Sequence, residues 1–541
     1  MTTFATHVVE NQPPPLSPYD AWATDAVLRE AVEREGGAWA APQLAAYGVL
    51  AGGELVALGR AANANRPVLA SFDRYGHRID EVEFHPAYHR LMAIAVEHGV
   101  AGFAWRHADR EGAHVARAAL TYLHNQADQG TSCPLTMTYA CVPSLRHDPE
   151  IAARWLPKIA APHYDPRHVP ADAKRGVTIG MGMTEKQGGS DVRANTTTAR
   201  PLAGGDYALV GHKWFFSAPM SDAFLVLAQA PGGLTCFLLP RLRSDGTRNG
   251  LRLQRLKDKL GDWSNASSEV EFHDARATRL GDEGRGVATI LQMVALTRLD
   301  CLLGSASLMR QALVQATHHA RHRRAFGARL VGQPLMRAVL ADLALDSEAA
   351  TALAFRVARA VDASARDPGE AALARLATAL GKYHVCKQAP AFVAEALECL
   401  GGVGYVEETG MPRLYRQAPL NSIWEGSGNI QCLDVLRALA REPETAVALF
   451  AEFDAVRGAD ARLDSEAAAL RGVVQEGPAP ETARELAGRL AVALQAAVLL
   501  RGDGDIAAAF VAARLGGRRA GTYGVLPSGA PVGRLLDRVL P

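Results

Sequence analysis

Paired cysteines are missing. The seven present are dispersed, odd in number and never spaced as CxxC, so neither a disulfide framework nor a structural zinc site is indicated. Charge of one sign is also missing: 58 Lys and Arg stand against 57 Asp and Glu, which excludes a uniformly basic, nucleic-acid-coating protein. The opening MTTFATHVVENQPPP has no basic segment followed by an apolar run, and the longest apolar stretches, such as residues 490–500, fall short of the roughly 20 residues that cross a bilayer. The expectation is a cytoplasmic chain that does not enter a membrane. Dinucleotide fingerprints are incomplete, because Glu185 and Glu407 stand where the third glycine should follow Gly180-Met181-Gly182 and Gly402-Val403-Gly404. A Walker A sequence and the zinc-protease pattern are absent. His318 and His322 lie four apart, yet Arg321, Arg323 and Arg324 around them would repel a cation, so no metal is expected.

What is present describes a folded chain, 48% hydrophobic and 21% charged. Its 541 residues exceed one hydrophobic core, and three or four domains are expected. Residues 1–176 read as an N-terminal helical domain, led by a Pro-rich stretch at 13–18 that lies across the surface. Residues 177–283 read as an antiparallel β-domain: apolar runs at 224–229 and 234–239 flank Pro231-Gly232-Gly233, and Glu269-Val270-Glu271-Phe272 alternates. Helical period returns over residues 284–444, with Val287, Ile290, Leu291 and Val294 on one face and a later helix, carrying Leu373, Leu376 and Leu380, that stops at Gly401-Gly402. Residues 445–541 add amphipathic helix and a Gly-rich tail. The fold class is α+β, mostly α.

Three segments could carry chemistry. Met183-Thr184-Glu185 with Gly188-Gly189-Ser190-Asp191 offers hydroxyls and free backbone N–H groups suited to an anion or a flat heteroaromatic ring; a polar turn before a strand looks the same. Lys213-Trp214-Phe215-Phe216-Ser217 places aromatics beside a hydroxyl, or is a core strand. In Trp424-Glu425-Gly426-Ser427-Gly428-Asn429 the carboxylate is either a general base, raised by a dry site from its reference pKa of about 4.3, or an acid complementing a helix start.

Together these segments resemble the acyl-CoA dehydrogenase family. Met183-Thr184-Glu185 with Gly189-Ser190-Asp191 is similar to its M-T-E-x-x-x-G-S-D flavin loop, and Gly211 to Ser217 to its G-x-K-x-W-I-T strand. Arg323-Arg324-Ala325-Phe326-Gly327 resembles R-x-x-F-G, and Leu400-Gly401-Gly402-Val403-Gly404-Tyr405, Leu414-Tyr415-Arg416 and Trp424-Glu425-Gly426 follow in the family's order. The wording around these motifs, the long N-terminal part and the C-terminal extension look like the AidB branch, tied to the response to DNA alkylation. The resemblance implies an N-terminal helical domain, a central antiparallel β-domain, a C-terminal four-helix bundle and an extra helical extension. It further implies bound FAD and a homotetramer. By the same resemblance Glu425 is the base, and Met183, Thr184, Gly189, Ser190, Phe215, Phe216, Ser217, Trp424, Gly426, Ser427 and Asn429 hold the flavin, while Arg323 and Phe326 reach FAD on a neighbouring subunit. Arg298 is expected at the substrate. The isovaleryl-type subfamily carries its base where this chain has Thr297, which cannot serve. Trp424, Phe215 and Gln417 replace the usual Tyr, Trp and Asp; the bulkier ring beside Glu425 narrows the acyl pocket.

The branch also implies contact with double-stranded DNA. Within the tail, Arg514, Arg518 and Arg519 fall at i, i+4, i+5 in a stretch whose only acid after residue 505 is Asp537, and such a cluster neutralises phosphates without reading bases. It is equally the solvated tail of an arginine-rich chain. Two functions follow: a DNA-associated flavoprotein with weak dehydrogenase activity on a small acyl-CoA or an alkylating species, or an ordinary short- or branched-chain acyl-CoA dehydrogenase.

Overall fold

The computed structural model describes residues 6–517 and 521–540. Aspartates start several of its helices: Asp25, Asp148, Asp367, Asp460 and Asp503 each accept a backbone N–H of the first turn, and at Asp148-Pro149 and Asp367-Pro368 the proline takes the first helical position. The N-terminal region runs α1 (Ala26–Arg34), α2 (Ala41–Ala51), α3 (Glu54–Ala64), α4 (Pro86–His98), α5 (Phe103–Arg106), α6 (Ala113–Ala127), α7 (Ser132–Ala140), α8 (Val142–Leu145) and α9 (Pro149–Ile159). It is not purely helical, as the sequence led us to expect. Between α3 and α4 lies a hairpin, β1 (Val68–Phe72) and β2 (Arg78–Glu83), whose turn is shaped by Asp73 accepting N–H bonds from Tyr75 and His77. Its strands are short and half-exposed, leaving little apolar pattern to read, and Arg78 ties it to the Leu253 carbonyl of the β-domain at 2.7 Å.

That domain holds β3 (Ile179–Gly182), β4 (Thr198–Pro201), β5 (Asp206–Ser217), β6 (Ala223–Ala230), β7 (Gly233–Pro240), β8 (Leu251–Leu256) and β9 (Ser267–Leu280). Strands β4, β5, β9, β7 and β6 pair in a ring that closes through the single bridge Thr198 to Gln229. Most pairs are antiparallel, as expected, while β3 runs parallel to β6 and the Thr198–Gln229 bridge between β4 and β6 is parallel as well. Both faces of β6 and β7 are buried. Phe224, Val226, Phe237 and Leu239 fill the barrel, while Leu225, Leu227, Cys236 and Leu238 pack against α7 to α9 and the start of α10. Burial on both sides explains their unbroken apolar runs.

The chain then forms α10 (Gly286–His322), a two-residue hairpin of β10 (Arg324–Ala325) and β11 (Ala328–Arg329), α11 (Pro334–Ala363), α12 (Pro368–Glu398), α13 (Met411–Gln417) and α14 (Gly428–Arg441). Helix α10 is long and apolar enough to cross a membrane by length and composition, and most of that stretch is buried within the protein. The extension, α15 (Pro443–Asp454), α16 (Ala461–Glu476), α17 (Ala483–Leu499), α18 (Gly504–Arg514) and α19 (Val532–Val539), shares one core with the bundle: Leu490 and Leu494 belong to the same apolar cluster as Leu353, Phe355 and Phe392.

Candidate active site

Glu425 lies in the loop that joins α13 to α14, and three neighbours hold this loop. Lys382 of α12, only 1% exposed, donates its ammonium protons to the carbonyls of Asn421, Trp424 and Gly426 at 3.0, 2.9 and 2.8 Å. The intervening carbonyl, that of Glu425, faces the other way and accepts from Arg298 Nε at 3.0 Å and Gln431 Nε2 at 3.1 Å. This alternation needs left-handed backbone, with φ 57° at Glu425 and 94° at Gly426. A side chain at Gly426 would meet Gln431 Nε2 at 2.7 Å, so glycine is required there on two counts. The Glu425 carboxylate accepts from the Thr297 hydroxyl of α10 at 2.7 Å. Burial raises its pKa above the ordinary value, and the Thr297 hydroxyl, Lys382 and Arg298 pull against that rise without cancelling it.

The first two sequence segments are stitched to each other. Trp214 N donates to the Thr184 carbonyl at 2.9 Å, and Lys213 Nζ reaches Glu185 Oε1 at 2.7 Å and the Leu227 carbonyl at 2.8 Å, all inside the protein. The ammonium and the N–H groups of Thr196 and Thr197 hold the Glu185 carboxyl down at about 2 despite its burial. Met183 and Trp424 both pack against the apolar cluster that joins the β-domain to α7, α9 and the start of α10, and Trp424 Nε1 is fixed on Asn421 Oδ1 at 2.9 Å. Phe215 is half-exposed and Ser217 lies 3.0 Å from the Ser267 hydroxyl.

The residues fit a flavin with its diphosphate. Gly189 packs against Thr184, where a Cβ would come within 2.4 Å of Oγ1, while Gly188 has open space beside it and Ser190 is exposed. The amino end of α14, at Ser427 and Asn429, has no side-chain cap and no acid in its first turn, so its positive end is not neutralised.

Three expected site residues stand elsewhere. Phe216 is fully buried inside the barrel, its ring 4.1 Å from that of Phe224, because strand alternation turns it away from Phe215. It is core and does not touch a cofactor. Arg298 is engaged by Asp434 at 2.8 Å and by the Glu425 carbonyl, which makes it a support of the loop and not a free substrate contact. Arg514 turns inward, paired with Asp346 at 2.8 Å and with Asp342, and is unavailable to phosphates. Arg518 and Arg519 lie outside the described residues. Elsewhere in the extension, Arg457, Arg462, Arg471, Arg489, Arg501, Arg534 and Arg538 each sit against a carboxylate.

Arg323 and Phe326, expected at a neighbouring subunit's FAD, lie far from Glu425 of their own chain. At ~1.5 Å per residue along α10, Arg323 is about 40 Å from Thr297. Its guanidinium meets the Asn11 carbonyl at 2.6 Å, and Phe326, 99% exposed, stands at the tip of the β10–β11 hairpin. His318 is bound to the Pro14 carbonyl at 2.8 Å, so the Pro-rich leader does cross this surface. Sequence reasoning missed Lys382 as a functional residue and Thr297 as a partner of the carboxylate. A lysine in register with the buried positions Leu376, Ala379 and Val385 of α12 was the available signal.

Comparison with known proteins fits this geometry. Family models match for the adaptive response protein AidB N-terminal domain over residues 11–166, the acyl-CoA dehydrogenase middle domain over 180–275 and the acyl-CoA dehydrogenase C-terminal domain over 284–440. The chain is 50% identical over 487 residues to the putative acyl-CoA dehydrogenase AidB of Escherichia coli (strain K12), covering 90% of each. It is 34% identical over 415 residues to acyl-CoA dehydrogenase family member 11 of Caenorhabditis elegans, covering 74% of this chain and 67% of that one. The solved structure of C. elegans ACDH-11 in complex with C11-CoA superposes with a TM-score of 0.86 at 27% identity, over 94% of this chain and 93% of that one.

Proposed function

The chain belongs to the acyl-CoA dehydrogenase family, in its AidB branch, and is an FAD-dependent oxidoreductase; from that premise we propose that it desaturates a short or branched acyl-CoA thioester, with Glu425 as the general base. The observation that carries this reading is the Glu425 carboxylate itself, raised in proton affinity by burial and aimed by Thr297 from a loop staked on both sides. A carboxylate so raised accepts a carbon-bound proton better than an exposed one, and the hydroxyl orients the lone pair that takes it. Glu425 would take the α-proton, and FAD held by the residues named below would supply the acceptor for the β-hydrogen and its electron pair, which would leave a Cα=Cβ double bond. Thr184, Gly189, Ser190, Phe215 and Ser217 on one side, and Trp424, Gly426, Ser427 and Asn429 on the other, are the residues proposed to hold the flavin.

The relative solved with C11-CoA supports a CoA thioester as the ligand class. Trp424, pinned by Asn421 next to the base, supports a shorter acyl group here. The projecting hairpin with Phe326 at its tip supports a homotetramer in which Arg323 and Phe326 serve a neighbour's flavin. A cytoplasmic location and sequence-independent binding of duplex DNA, in an alkylation response, complete the proposal. The DNA part rests on the AidB relationship and on Arg518 and Arg519.

The test is optical. Purified protein should be yellow, and anaerobic addition of isovaleryl-CoA or butyryl-CoA should bleach the flavin band, slowly in the parent and not at all after Glu425→Gln. Bleaching that survives Glu425→Gln would remove the base from this account.

A further inference from the structure

Lys382 takes no part in the chemistry just described, yet burial of an ammonium is costly and needs a reason. Its three donors end on three carbonyls, and among the described residues it forms no ion pair with a carboxylate. A single acid would have satisfied the charge more simply. Three carbonyls contributed by residues 421, 424 and 426 instead specify where a loop must run.

We propose that Lys382 is the positioning residue of the base: its ammonium, gathered between the carbonyls on either side of Glu425, holds that residue in its left-handed turn and keeps its carboxylate on the Thr297 hydroxyl. The inference rests on Glu425 being the base. With the carbonyls of Trp424 and Gly426 drawn to Nζ, that of Glu425 is driven the opposite way into Arg298 and Gln431. The peptide planes flanking Glu425 are thereby fixed, and so is the direction of its Cβ. The positive charge also favours the ionised carboxylate. The groups that act on Glu425 are Thr297, Arg298 and Cys301 from α10 and Lys382 from α12, with Cys386 beside Lys382 and Asp434 on Arg298. Burial keeps both thiols protonated, and Asp434 is engaged by Arg298 and Arg375. Loss of Lys382 therefore leaves Arg298 as the facing cation, its charge already shared with Asp434.

The experiment compares flavin-loaded Lys382→Met, Lys382→Arg and Glu425→Gln with the parent, following anaerobic flavin reduction by butyryl-CoA as a function of pH. In Lys382→Met the limiting rate should fall about 100-fold, as expected for a base displaced by about 1 Å, with the KM for acyl-CoA little changed. The acid limb of the profile should move to higher pH by about one unit or more, because the base loses a facing cation. Lys382→Arg should return the limb to its parental place and recover part of the rate. Backbone hydrogen exchange over residues 421–428 should accelerate in Lys382→Met whether or not flavin is bound. A parental rate and limb in Lys382→Met, with Glu425→Gln inactive, overturns the proposal; so does an equal loss in the Met and Arg variants with no movement of the limb. Full activity of Glu425→Gln instead overturns the reading on which it rests. If Lys382→Met does not accumulate as folded protein, Lys382→Gln carries the same expectations.

Discussion

Phe215 and Phe216 show how much one position decides. They are adjacent and chemically identical, yet one is half-exposed beside the flavin loop and the other sits at the centre of the barrel between Phe224 and Phe272. Phe216→Ala should therefore lower stability by about 3–5 kcal/mol in denaturant unfolding, the usual cost of emptying an aromatic site. Phe215→Ala should leave the unfolding midpoint nearly unchanged and weaken flavin retention, measured as absorbance per protein after dialysis. The family resemblance placed both at the cofactor, whereas alternation along a strand says that neighbours oppose each other without saying which face is inside. Glu425 makes a second prediction at this scale. Because burial raises its pKa, the ionised form is disfavoured in the folded state, so the stability it contributes is present at low pH and lost as pH rises through the folded pKa. Glu425→Gln should therefore raise the Tm at neutral pH while abolishing bleaching.

At the scale of elements, the glutamate of Met183-Thr184-Glu185 turns out to fasten one strand to another. Glu185 follows β3, Lys213 lies in β5, and their contact locks the Gly-rich loop after β3 onto the strand that carries Phe215 and Ser217. The Glu185 pKa is depressed to about 2, so its stabilisation is fully present above the ordinary carboxyl pKa and is lost as pH falls below that range through the folded pKa of about 2. Glu185→Gln leaves a buried ammonium without its counter-charge and should cost about 3–5 kcal/mol, with flavin released before the chain unfolds on acidification. The motif was legible in sequence; its division of labour was not, since a carboxylate followed by a Gly-rich turn reads equally as a ligand. The β1–β2 hairpin escaped notice for a related reason. Short strands that bury only one partial face leave almost no apolar pattern, and this pair leans on β8 through Arg78.

For the whole molecule, the extension is part of the bundle's core and not an appendage. Removing residues 445–541 would strip α17 from α11 and α12 and expose Leu353 and Phe392; the truncated protein should aggregate, or melt well below the parent in calorimetry. Arg514 belongs to that attachment. Its replacement by Ala leaves Asp342 and Asp346 buried without their cation and should lower the Tm with little effect on affinity for duplex DNA, whereas Arg518→Ala with Arg519→Ala should weaken a salt-dependent gel shift and leave the Tm unchanged. Sequence alone determined the order of helical and β regions, the glycine turns and the identity of the base candidate, because these depend on local periodicity and on residue types that few other chemistries need. Only the tertiary structure decided that Arg514 is engaged, which of two phenylalanines is buried, and that a lysine of α12 gathers the carbonyls around Glu425. Those outcomes depend on partners far along the chain or on the opposite face of a strand: Arg514 finds Asp342 across 172 positions, and no local pattern encodes such a pairing.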